Sequence, residues 1–144
     1  MRVLIATAVC LCATGVGAHH DISATFDESR TVEISGTVTR VEWRNPHPVF
    51  AIEGRGPGGV NGVWLAEAQS YPSALLRRGW SSTSIAPGMI VVARGYPARQ
   101  SGKNDPALVV VEVTLADGTT LNAASERPWR NPPVIEGKVP SRVR

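Results

Sequence analysis

An all-β domain is what this sequence predicts, on three observations. Five runs rich in Val, Ile and Thr alternate apolar and polar side chains at the period of a strand. Only residues 71–79 carry the apolar spacing and end signals of a helix. The order is three strands, one helix, two strands, without an internal repeat. That order matches a five-stranded OB-like Greek-key barrel with one short helix between strands 3 and 4, with an open sandwich of the same strands as the alternative.

The chain opens on Met1-Arg2, an apolar run from Val3 to Ala13, and small residues at Val16 and Ala18. A basic start, an apolar stretch and small residues at the −3 and −1 positions are the parts of a secretory signal peptide cut after Ala18. The apolar run is too short to span a bilayer comfortably. The expected organisation is therefore a signal peptide over 1–18, an OB-like barrel over 19–123 and a Pro/Arg-rich extended or disordered tail over 124–144. Export implies the periplasm, with no membrane attachment after cleavage. Both cysteines, Cys10 and Cys12, fall in the leader and lack the approach of a lipoprotein site, so the mature chain has no disulfide and its core alone must hold it.

Residues 20–30 form a polar arm whose only large apolar side chains are Ile22 and Phe26. In the run from Thr31 to Trp43, Val32, Ile34, Gly36 and Val38 share one parity, while Val41 and Trp43 share the other. A one-residue slip of this kind is what a β-bulge produces, here near Thr39-Arg40 in a long, bent first strand. Gly36 marks a point of close approach. Asn45-Pro46-His47-Pro48 breaks the strand because each proline fixes φ and removes a donor. Val49 to Glu53 and Gly62 to Glu67 read as a hairpin joined by the glycine-rich run 54–59. The helix has Ser70 as candidate N-cap, Pro72 in its first turn, an apolar patch at Leu75 and Leu76, two arginines near its end and Gly79 as its stop. Trp80 is expected to pack back on the domain. A turn at 85–88 leads to the strand Met89 to Tyr96, a polar loop spans Pro97 to Asp105, and Ala107 to Leu115 is the last core strand before the turn at Asp117-Gly118.

The net charge of +3 suggests acidic partners until it is located. From Ser125 onward five bases face two acids, whereas residues 19–124 hold nine bases and ten acids. The folded part is near neutral, which argues against nucleic acid, because phosphate contacts need a basic groove.

Three pieces of the chain resemble one family: His19-His20 at the mature start, Gly36-Thr37-Val38 followed by Trp43-Arg44-Asn45-Pro46-His47, and Leu75 to Trp80 followed by Pro87-Gly88. The resemblance extends to Val113 to Gly118 and spans about residues 19–123. The family is one of small exported bacterial proteins catalogued as a domain of unknown function. It implies an exported β-rich domain and carries no catalytic role.

The chain has three histidines: His19, His20 and His47. Cleavage after Ala18 leaves His19 terminal, so its α-amine and imidazole chelate one metal together, and His47 supplies a third nitrogen in a T-shaped copper site. Nitrogen ligands in planar geometry favour copper(II). Cleavage after Gly17 instead makes His20 the third residue, another copper(II) arrangement. His20 is otherwise auxiliary. The plainer alternative is that the His pair scavenges metal weakly and that His47 serves its turn.

Trp43, Phe50, Trp64, Trp80 and Tyr96 raise a second class, a periplasmic accessory domain that binds a protein or glycan through exposed aromatics. An enzyme is the third. Glu33, Glu42, Glu53, Glu67 and Glu112 fit solvated strand faces, and no serine sits in a nucleophile elbow. Glu67 and His47 together would make an acid–base pair across neighbouring strands, but no second feature requires it. The expectation is a monomeric, non-catalytic binding module.

Overall fold

The computed structural model describes residues 22–100 and 107–125. The leader 1–18, His19 and His20, part of the 97–105 loop and the tail from 126 lie outside the described residues. The elements are α1 (Ile22–Thr25), β1 (Val32–Glu42), β2 (Val49–Arg55), a 3-10 turn (Pro57–Gly59), β3 (Asn61–Ala68), α2 (Pro72–Arg77), β4 (Ile90–Pro97), β5 (Leu108–Leu115) and β6 (Thr120–Asn122). The strands form one sheet in the order β3-β2-β1-β4-β5-β6. Parallel pairing of β3 with β5 through Ala66–Leu108, Glu67–Val109 and Ala68–Val110 closes its first five strands into a barrel. This is the expected OB-like arrangement, with α2 between β3 and β4. A sixth, short strand pairs with β5 beyond the Asp117-Gly118 turn, where Gly118 takes φ +87° and Asp117 Oδ1 accepts the Thr119 N–H at 2.8 Å.

Closure depends on the bend of β1, which pairs with β2 through Ser35 to Glu42 and with β4 through Val32 to Thr37. Its register against β2 shifts between Val38 and Arg40. Ile34 and Val38 point inward before the shift, and Val41 pairs with the core after it. The parity slip in the sequence is this bulge. At the Gly36–Gly54 pair the backbones approach so closely that a Cβ on Gly36 would stand 2.2 Å from the Glu53 carbonyl oxygen. A second register shift lies where Arg94 and Gly95 of β4 face Glu112 and Val110, so that β5 carries the extra residue, Val111; it has no parity signature because Leu108 to Val111 is an unbroken apolar run.

The main core runs through Ile34, Phe50, Ile52, Leu108, Val110 and Val113, all at most 1% exposed. Helix α2 packs onto it by one stripe. Leu75 is fully buried, but Leu76 is 52% exposed, so the expected apolar patch is a single residue wide. Six residues make fewer than two turns and present only one narrow face. Ser70 does not cap this helix. The N-cap is Tyr71 without a side-chain bond, and the buried Ser70 hydroxyl donates to the Ala124 carbonyl at 2.7 Å. Arg78 donates to that carbonyl and, at 2.9 Å, to Ser70 Oγ. Trp80 lies 3% exposed, stacks on Phe50 with centroids 6.4 Å apart and donates from Nε1 to the Asn122 carbonyl at 2.9 Å. Side chains from the α2 region thus tie down residues 122–124. Among the described residues, no helix is long and apolar enough to cross a membrane.

Candidate functional site

The expected polar arm begins in the structure with a helical turn, α1, which no spacing in the sequence indicated. Its anchor is Phe26, 5% exposed, which pairs with Ala98 beyond the end of β4. Phe26 joins Tyr96, Val109 and Val111 in a satellite cluster against which Ile22 packs. The backbone is tied as well. Asp27 N–H donates to Pro97 O at 2.8 Å, Arg99 N–H to Thr25 O at 2.9 Å and Arg99 Nε to Ser23 O at 3.0 Å. The Ser29 hydroxyl donates to Asp27 Oδ1 at 2.6 Å and, as the largest influence, holds that carboxyl below its usual pKa.

Across from this arm lies the β1–β2 connection. Asn45–Pro46 is a cis peptide, His47 follows, and Pro48 O accepts the Ala68 N–H at 2.9 Å. In the β2–β3 ladder Val49 stands opposite Glu67, so these two side chains share a face. Arm, connection and strand ends enclose a cleft of about 250 Å³. Ile22, Thr25 and Phe26 line one wall, Arg44 to His47 and Val49 another, and Glu67, Ala68, Gln69 and Val109 the floor.

Its most unusual atom is His47 Nδ1. It is shielded from solvent and has no hydrogen-bond partner, a condition shared among the described side chains only with Thr31 Oγ1. A buried polar atom in that condition costs about 1–3 kcal/mol, so it marks a place where a partner is missing or where a ligand belongs. Of the cleft's other polar groups, Arg44 Nε reaches Glu42 at 3.2 Å, and Gln69 Oε1 accepts the Ser125 N–H at 2.8 Å.

Of the three histidines, the described residues contain His47 alone. Among them no group of three or more His, Cys, Asp or Glu side chains is placed to hold a metal. Glu67 and His47 do line one cleft, as cross-strand reasoning allowed. The reading of Glu67 as part of a solvated face needs correction, since the residue is half-buried between Ala66 and Ala68, both fully buried.

The aromatic residues divide clearly. Phe50, Trp80 and Tyr96 are core. Trp43 and Trp64 are half-buried against it, with Trp64 Nε1 donating to Gly54 O at 3.2 Å. Burial pushes the Tyr96 phenol up to about 12.

The model of one family, described as a family of unknown function (DUF6152), matches residues 7–107. The chain belongs to this family. The match takes in His19-His20, the Trp43 to His47 motif and the α2 region, and it ends before the Val113 to Gly118 stretch. Neither the curated proteins nor the solved structures contain a match to the chain.

Proposed function

We propose that this chain is an exported, periplasmic binding module that holds a copper ion against His47 in the cleft beneath the N-terminal arm. His19, as the first residue of the processed chain, supplies its α-amine and imidazole, and His20 is auxiliary. The observation that carries the reading is the buried, partnerless Nδ1 of His47. Ligation through Nδ1 removes the cost of that atom, whereas a proton there leaves a buried donor unsatisfied.

Two further features support it. The first described residue, Ile22, lies in the cleft wall with His47. His19 stands three residues before it, and three residues span at most about 10 Å of chain, so the tether is short enough to keep the terminal amine local to the cleft. The donor set of amine and imidazole nitrogens suits copper(II) in planar geometry.

Binding of a protein or glycan through exposed aromatics is less well supported. Three of the five rings that suggested it are core, and the most exposed aromatic side chain named among the described residues is Tyr71, at 54%. Catalysis has no support beyond the proximity of Glu67 to His47, and the module is proposed as a binder.

The test is intact mass and metal content of the protein purified from the periplasm. The expected result is a chain beginning at His19 with one copper per molecule. A chain beginning elsewhere, or one that emerges without copper from copper-replete cells, overturns the proposal.

A further inference from the structure

We propose that α1 is a hinged lid on the cleft and that Arg99 is its latch. The lid pivots at Phe26 and opens while the barrel stays folded. This goes beyond the copper reading, since it concerns access to the cleft whatever ligand His47 takes.

The boundary between lid and anchor is sharp. No residue of α1 is fully buried, whereas Phe26, the next residue, is 5% exposed and packs with Tyr96, Val109 and Val111. The Asp27 N–H bond to Pro97 O and the bridge between Phe26 and Ala98 fasten the chain at that point. Ahead of it, the turn is closed by the Phe26 N–H bond to Ile22 O at 2.7 Å. Four residues are too few to stay helical without support. A segment with so little buried apolar surface opens locally at a free energy far below that of global unfolding.

Arg99 supplies the support. Its N–H donates to Thr25 O at 2.9 Å, its Nε to Ser23 O at 3.0 Å, and its Nη2 lies 3.8 Å from Asp27 Oδ1. One side chain therefore bridges from the lid to the anchor across the pivot. Arginine suits this task because Nε and Nη2 belong to one rigid planar fork. The side chain is 51% exposed, so water replaces these contacts when they break and leaves no buried donor unsatisfied.

The lid faces the residues that a ligand must reach. Ile22 and Thr25 of α1 line one wall of the cleft, and His47 and Val49 line another. Val49 is 7% exposed, and His47 Nδ1 is shielded from solvent. A ligand of Nδ1 enters while the lid is raised and is enclosed once Arg99 re-engages. Arg99 thus sets the fraction of time the cleft is open, without touching the ligand.

The experiment uses metal-free processed protein and reads amide hydrogen exchange and thiol labelling. Arg99→Ala keeps the backbone N–H but loses the Nε bond and the ion pair. The amides of Phe26 and residue 99 should then exchange about tenfold faster, the effect of one ordinary hydrogen bond plus one exposed ion pair, while core amides of β1 and β5 and the unfolding midpoint stay at wild-type values. A Val49→Cys reporter, followed at that position by mass spectrometry, should react with a thiol reagent about tenfold faster in the Arg99→Ala background, if lid opening controls access. Arg99→Lys keeps the charge without the fork and should fall between. Wild-type exchange in Arg99→Ala overturns the latch. Faster exchange with unchanged labelling means that α1 does not cover the cleft, and acceleration throughout the barrel means that Arg99 supports the whole domain; either overturns the lid. Neither readout needs copper, so a protein that takes up no copper overturns the copper reading while these two measurements still decide the lid.

Discussion

Replacing His47 with leucine should make the metal-free protein more stable. In the structure His47 Nδ1 is shielded from water and bonded to nothing, a condition worth about 1–3 kcal/mol against folding. The residue as a whole is only partly buried, so the lower end of that range applies. Leucine is close in size, carries no polar atom and meets Pro46 and Val49 along the cleft. The expected gain is about 1–2 kcal/mol. In a domain of this size each 1 kcal/mol moves Tm by roughly 4–8 °C. Thermal and urea unfolding of chelator-treated wild-type and His47→Leu protein read the effect, with an unchanged urea slope showing that the denatured state is the same. Copper should reverse the order. At a free concentration about a hundredfold above Kd the wild-type protein gains about 2.7 kcal/mol, while the variant gains almost nothing. A metal-free His47→Leu protein less stable than wild type refutes the reasoning, because the imidazole then has a stabilising partner and no cost to remove.

Other expectations concern the frame around the cleft. Gly95→Ala should destabilise the barrel by about 3 kcal/mol or more, beyond ordinary overpacking, because its Cβ would stand 1.8 Å from the Val109 carbonyl oxygen and β4 would have to leave β5; chemical unfolding measures this, and a near-neutral variant contradicts the paired backbones. Trp80→Phe keeps an aromatic ring beside Phe50 but loses the Nε1 bond to Asn122 O, so a loss of about 1–2 kcal/mol is expected in the same assay, and hydrogen exchange near 122–124 should accelerate. Tyr96 has its phenol pKa raised to about 12 by burial. A raised folded pKa means the native state holds the proton more tightly, so the associated stability is complete below the unfolded value of about 10 and is lost as pH climbs from there through about 12. Tyrosinate absorbance should rise together with unfolding in that window, and ionisation of Tyr96 at the ordinary tyrosine pKa contradicts its burial.

The barrel was largely legible because its signals are local. The Val32–Val38 and Val41–Trp43 parities encode the bulge, Gly79 stops α2 with φ +84°, and Asp117-Gly118 turns the chain. Misreadings occurred where tertiary contacts took over a local role. Ser70 suits an N-cap, yet the Ala124 carbonyl arrives from 54 residues away and takes its hydroxyl. Leu76 completes an apolar pair in the sequence, but α2 is too short to bury two stripes. The helical turn at Ile22–Thr25 is tied down by contacts with Ala98 and Arg99, which no window around residue 22 contains. The candidate site follows the same division. His47 stood out as a histidine between prolines in a turn. Its cleft unites Ile22, Glu67, Gln69 and Val109 through barrel closure, and alternation cannot show that the arm covers the face of β3 carrying Glu67. His19 and His20 were legible only as residues after a cleavage signal, outside the described residues.

The central claim is that His47 holds a copper ion together with the processed N terminus, and the measurement that meets it most directly is a copper(II) competition titration. Protein whose first residue is verified as His19 is titrated alongside His47→Ala processed in the same way. The account predicts one tight site in the wild-type protein and a loss of roughly a hundredfold or more on removing His47, at or beyond the upper end of what an outer-shell partner contributes. Equal affinity in the two proteins contradicts it, and would leave the N-terminal histidines as an independent, weaker chelator with His47 serving only its turn.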